Sequence, residues 1–118
     1  MGKMKLIDAF SFGSLVIDGK NYSSDLIIYP DGRVVDGWWR KSGHRLFAED
    51  IHDLIHSQPE YIIAGTGIYG YVKPDKGLEI LLHQKGIVYI GEKNESAIQK
   101  YNQKIVNKRV GACFHLTC

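Results

Sequence analysis

The hydrophobic pattern changes period about a third of the way along the chain, and this limits the fold more than any other feature. Up to Trp39 the apolar residues come in short β-prone runs separated by turn signals. FGSLVI at Phe12–Ile17 is followed by Asp18-Gly19, a hairpin pair. Short runs at Lys20–Tyr22 and DLIIY at Asp25–Tyr29 come next. Pro30-Asp31-Gly32 then makes a second turn, because Pro presets φ and Gly accepts a positive φ. RVVDGWW at Arg33–Trp39 returns as a strand, with Gly37 expected as a bulge.

Beyond this point the period becomes helical. Phe47, Ile51, Leu54 and Ile55 fall at i, i+4, i+7 and i+8, one face of a helix with Glu49, Asp50 and Asp53 toward its positive end. YIIA at Tyr61–Ala64 reads as a buried strand and runs into the glycine-rich stretch Gly65–Gly70. Pro74 and Asp75 are expected to open a second helix carrying Leu78, Leu81 and Leu82, capped by Gly86. IVYI at Ile87–Ile90 is a strand, Asn94 is expected to cap a third helix running through Arg109, and VGACFHL at Val110–Leu116 is the last strand. The order βββ-α-β-α-β-α-β predicts an α/β fold of three layers. Its mixed β-sheet would combine N-terminal antiparallel strands with βαβαβ-type units, and the last three strands would run parallel. Sites in such units gather beyond the carboxyl ends of the strands. Those ends carry Gly65–Gly70, Gly91-Glu92 and His115–Cys118, and the first and last become neighbours if the final strand lies beside YIIA.

At 118 residues, with 44% hydrophobic and 24% charged residues, the chain is expected to form one domain over 1–118. There are 15 Lys+Arg against 13 Asp+Glu, without the clustered basic face that nucleic acid requires. No apolar run reaches the roughly 20 residues of a membrane span, and the start lacks a signal-peptide core, so a soluble cytoplasmic protein is expected. Cys113 and Cys118 would face opposite sides of an extended strand, so free thiols are expected.

Gly65, Gly67 and Gly70 spell G-x-G-x-x-G after a strand and before a helix, with Glu92 ending the next strand. A dinucleotide site needs the helix to open inside the motif, and Tyr71–Pro74 intervene. A tight loop, or a small anion held by the loop amides, fits better. His52 and His56 share a helix face, but Asp53 replaces the glutamate of a zinc-protease motif and no third ligand appears, so a solvated face is expected. Cys113, His115 and Cys118 lack the four-ligand set of structural zinc. Cys118 near His115 or His44 is a conceivable activated thiol. Of Trp38 and Trp39, one should face the core and the other outward as an interface anchor beside Arg40 and Lys41.

Taken in order, YPDGRV at Tyr29–Val34, G-H-x-L at Gly43–Leu46, GTGIYG at Gly65–Gly70 and the terminal HLTC at His115–Cys118 resemble the Mth-type domain family of small archaeal and bacterial proteins. That resemblance covers essentially the whole chain. It implies a three-layer α/β fold with a mixed sheet and a largely undefined biochemical role. Its eukaryotic relatives, an adipogenesis-associated Mth-domain protein and a mitochondrial complex I assembly factor, imply assembly or regulation through protein contacts.

The leading expectation is therefore a non-catalytic protein-binding, assembly or regulatory module, with no cofactor and no metal. The rival is a small-ligand or anion binder, or a minor enzyme, built on the glycine loop. The candidate pocket comprises Arg40, His44, Gly65, Thr66, Gly67, Tyr69, Gly70, His115 and Cys118, and the candidate interface Trp38 and Trp39. A protein partner, a small anion at the glycine loop, and a monomer or homodimer are expected. Nucleic acid and membrane are not.

Overall fold

Two apolar clusters lie on the two faces of a five-stranded sheet, and strand alternation decides which residue enters which cluster. In β10 (Val110–Phe114), Val110, Ala112 and Phe114 point to one side and Cys113 to the other. Each fully buried Leu, Ile or Phe side chain contributes about 1.5–3 kcal/mol, so this alternation fixes the register firmly. The computed structural model describes residues 5–118. The first four residues, part of the start read as lacking a signal peptide, lie outside the described residues.

The elements in chain order are β1 (Ile7–Ser11), β2 (Ser14–Ile17), β3 (Lys20–Tyr22), β4 (Leu26–Ile28), β5 (Val34–Asp36) and β6 (Arg45–Leu46). They continue with a 3-10 turn (Ala48–Ile51), α1 (His52–His56), β7 (Tyr61–Gly65), β8 (Lys73–Pro74), α2 (Lys76–Gln84), β9 (Val88–Glu92), α3 (Asn94–Lys104) and β10. The main sheet has the order β5-β4-β10-β7-β9, with β7, β9 and β10 parallel and β4 and β5 antiparallel to their neighbours. Leu54, Ile55, Leu78 and Leu82 cover one face. Ala97 and Tyr101 of α3, with Ile7, Leu15 and Ile17 of the β1-β2-β3 meander, cover the other. The expected three-layer α/β architecture, its mixed sheet and its parallel last three strands are thus present. No helix among the described residues is long and apolar enough to cross a membrane.

Local readings differ from the structure at identifiable points. Phe12–Ile17 is not one strand: Gly13, at φ +78°, turns the chain between β1 and β2. These strands form a separate sheet with β3, joined to α3 by the Asn102 side chain, which bonds both backbone groups of Ile7. The strand expected to reach Trp39 stops at Asp36, and Gly37 adopts φ +67° while its amide donates to Ser24 Oγ. Pro74 lies in β8, and Asp75 is the cap of α2, accepting from Gly77 N at 2.9 Å. The third helix ends at Lys104, before Arg109. The first helical segment begins as a 3-10 turn at Ala48, one residue beyond Phe47.

Candidate functional site

The final strand does lie beside YIIA, so the glycine loop and the C-terminal tail meet at one end of the sheet. His115 N donates to Gly65 O at 2.9 Å, and Ile68 N to Thr117 O at 3.0 Å. The approach is too close for side chains. A Cβ on Gly65 would fall 2.1 Å from Phe114 Cδ1, and one on Gly67 (φ +99°) would fall 2.8 Å from Thr117 O. The loop spends most of its amides internally. Thr66 N donates to Glu92 O, Gly67 N to Asn94 Oδ1 and Gly70 N to Gly67 O. An anion on this loop would compete with those bonds, which face the protein.

Asn94 links three segments. It is fully buried, receives the Gly67 amide, and donates through Nδ2 to His115 O at 2.7 Å. Asn94 therefore does not cap α3. Lys93 occupies the cap position without a side-chain bond, and the Asn94 side-chain amide is committed to the loop and tail.

On the other side of the tail stands an ionic knot. Asp25, just before β4, accepts from Arg40 Nη1 at 2.9 Å, from His115 Nδ1 at 2.7 Å and from Leu116 N at 2.8 Å. The Arg40 side chain is only 6% exposed. It also donates to Gly43 O at 3.1 Å and lies with Cζ 4.9 Å from the Trp38 ring centroid. The 2.7 Å contact assigns the ring proton of His115 to Nδ1, so Arg40 Nη2, 3.1 Å from that nitrogen, is a neighbour and not its donor. Burial works to raise the Asp25 carboxyl pKa. The hydrogen bonds from His115, Leu116 and Arg40 outweigh it and hold the group below the usual aspartate value. His115 Nε2 faces Thr117 Oγ1 at 3.5 Å, the outer limit of a hydrogen bond.

The remaining predicted residues separate into groups. His44 stacks edge-on with Tyr71 at 5.5 Å between ring centroids, and Tyr71 lies 5.6 Å from Tyr69. Tyr69 and Tyr71 are 58% and 52% exposed, which makes an aromatic ridge on the loop. Of the two tryptophans, Trp38 packs against the core and donates from Nε1 to Asp50 O at 2.8 Å, while Trp39 is 75% exposed. Of the pair, only Trp39 is exposed to solvent. Trp39→Ala should change unfolding free energy by no more than about 0.5 kcal/mol. Trp38→Ala should cost about 2 kcal/mol through lost packing and the lost indole bond. Urea midpoints of the two variants measure the contrast.

Cys113 is buried among Leu54-side core residues, and burial raises its thiol to about 12. Cys118 is exposed. A thiol reagent at pH 8 should therefore modify one cysteine quickly in the native protein and the second only on unfolding. Rapid modification of both would contradict this packing. His52 and His56 stand 4.2 Å apart on an exposed helix face, with His52 near Asp53. Among the described residues no group of three or more His, Cys, Asp or Glu side chains is placed to hold a metal.

Asp25 and Asn94 are the residues that sequence reasoning missed. The signal for Asp25 is a lone carboxylate opening an apolar strand that has no helix to cap. Asn94 looked like an ordinary cap, and only the packing of α3 against the loop shows its other use.

The sequence matches the family model described as protein of unknown function (DUF498/DUF598) over residues 7–115. The structure is similar to that of a conserved hypothetical protein, PH1505 from Pyrococcus horikoshii OT3. That match has a TM-score of 0.81 and 26% identity, and covers 95% of this chain and 98% of that one. A structure described as MT938 matches with a TM-score of 0.78 and 25% identity, covering 98% of this chain and 100% of that one. A Bordetella pertussis protein described as a Mth938-like domain shares the fold at a TM-score of 0.72 and 16% identity, covering 95% of this chain and 85% of that one. No curated protein matches the chain.

Proposed function

The chain belongs to the DUF498/DUF598 family of proteins of unknown function, and from that membership we propose that it is a non-catalytic binding or assembly module. It presents the strand-end face to a protein partner. The observation that carries this reading is the solvent-facing ridge of Tyr69 and Tyr71, with His44 stacked behind it and Trp39 exposed on the preceding loop segment. Large aromatics give contact area at low entropic cost and are enriched at interface centres. The groups that could do acid–base work are used for structure instead. Asp25, Arg40 and His115 tie the tail to β4 and to the Trp38 loop. A small anion on the Gly65–Gly70 amides has less support, because most of those amides donate within the fold.

The test is affinity purification from the native host with the wild type, Trp39→Ala and Tyr69→Ala/Tyr71→Ala. A protein retained by the wild type and lost from the aromatic variants, whose fold is checked by thermal unfolding, supports the reading. No specific protein, or one retained equally by every variant, contradicts it. Trp38 stays unchanged in this experiment because its ring supports the core.

A further inference from the structure

A cleft of about 380 Å³ lies between the glycine loop, β8 and the carboxyl end of β9, and its polar lining is made almost entirely of hydrogen-bond donors with no acceptor of their own. Thr66 is 5% exposed as a residue, and its hydroxyl, which is not sealed from solvent, makes no hydrogen bond to any described residue. The Tyr89 hydroxyl is sealed from solvent and equally without a partner. An unmade bond at a sealed atom costs about 1–3 kcal/mol, so the orphaned Tyr89 hydroxyl needs a reason. Burial pushes the Tyr89 phenol pKa upward, so it remains an O–H donor at neutral pH.

Two lysines, Lys73 and Lys93, complete the lining. Lys73 and Lys93 form no ion pair among the described residues. Glu92, the one acid among the residues that line the cleft, is occupied by Lys100 and Ser96. Two glycines keep space beside the hydroxyls. A Cβ on Gly70 would lie 3.2 Å from Lys93 Cγ and 3.6 Å from Thr66 Oγ1, and a Cβ on Gly91 would lie 2.7 Å from the Tyr89 hydroxyl. The exposed ring of Tyr69 stands among the lining residues. The volume is that of a small-molecule site, and donors without acceptors select a ligand rich in acceptors and negative charge.

We propose that this cleft binds the oxyanion group of a small molecule, a phosphate or a carboxylate, through Lys73, Lys93 and Thr66, with the sealed Tyr89 hydroxyl joining once the side chains over it shift. The site is distinct from the loop amides, and its ligand is independent of any protein partner. Both phosphate and carboxylate supply the shared chemistry, and the experiment separates them.

The full chain, labelled with ¹⁵N, is titrated with orthophosphate and separately with acetate. Chloride at matched ionic strength is the control. Saturable amide shifts at Gly70, Gly91 and Lys93 are expected with one oxyanion or both, and the ion that saturates identifies the group. Lys73→Ala/Lys93→Ala should weaken binding about tenfold or more, since two charge-assisted contacts are lost. Both lysines are exposed, so that variant is expected to keep its fold, which its thermal unfolding checks. Tyr89→Phe should weaken binding several-fold while leaving the Lys73 and Lys93 charges in place. The proposal is overturned if neither ion saturates, if chloride reproduces the shifts, or if the double lysine variant binds as the wild type does.

Discussion

Gly65→Ala should destabilise the protein by about 3 kcal/mol or more, near the upper end for overpacking a core. The added methyl would sit 2.1 Å from Phe114 Cδ1 and 2.5 Å from Asn94 Oδ1. Neither neighbour can yield alone. Phe114 is fully buried where β10 lies between β4 and β7. Asn94 holds the Gly67 amide and the His115 carbonyl, so its retreat would break the join between loop and tail. Gly43→Ala is the control, because a Cβ there meets nothing within 4 Å and the backbone is not left-handed. Its effect should stay within about 0.5 kcal/mol and can be stabilising, since the change mainly restricts the unfolded chain. Urea unfolding reads both variants as a change in midpoint at constant slope. Equal midpoints would mean that β7 and β10 approach less closely than their contacts here require.

Asp25→Ala is the second large effect. It leaves the almost fully buried Arg40 guanidinium without its carboxylate, and it leaves the Leu116 amide and His115 Nδ1–H without an acceptor. Breaking a buried pair from one side costs about 3–5 kcal/mol. Asp25 keeps a fifth of its side chain exposed, so solvent screening puts the expectation near the lower limit, about 3 kcal/mol. Asp25→Ala/Arg40→Met should recover part of that loss, because the orphaned charge is gone. The same knot sets an acid limit. The folded Asp25 carboxyl titrates below its unfolded value, so on acidification the unfolded chain takes up the proton first. The stabilisation is complete above the unfolded value of about 4 and disappears as pH falls through the lower folded one. Asp25→Asn should lack this component. A pH series of urea midpoints that falls equally steeply below pH 4 in wild type and Asp25→Asn would assign the acid sensitivity elsewhere.

Much of the fold is legible from period alone. The i, i+2 alternation of Leu26–Ile28 and Val110–Phe114, and the helical spacing of Leu78 and Leu82, report which face each residue buries. The parallel order of the last strands follows from their alternation with helices. The short pieces are not legible that way. The β6–β8 ladder, Arg45 and Leu46 against Lys73 and Pro74, is too brief to carry a period, and Pro74 reads equally well as a helix start. The site divides along the same line. Gly65, Gly67 and Gly70 stand out in the sequence as a motif, whereas the residues that give the strand-end face its chemistry lie far along the chain from their partners. Asp25 meets His115 across 90 positions, Asn94 meets Gly67 across 27, and Tyr89 reaches the cleft from a strand that the sequence marks only as apolar.

The alternation of elements, the faces they bury and the loop at which glycine is concentrated follow from residues near one another in the chain, so they can be read before any fold is known. Only packing brings Arg40 and His115 onto Asp25, commits Asn94 to the loop and tail in place of a helix cap, and turns Trp38 inward while Trp39 stays out. Packing also engages most of the loop amides while leaving the Thr66 and Tyr89 hydroxyls without protein partners. The physical reason is that a donor's meaning lies in whether an acceptor reaches it, and here the acceptors come from other strands, brought near by burial of apolar surface that does not depend on them.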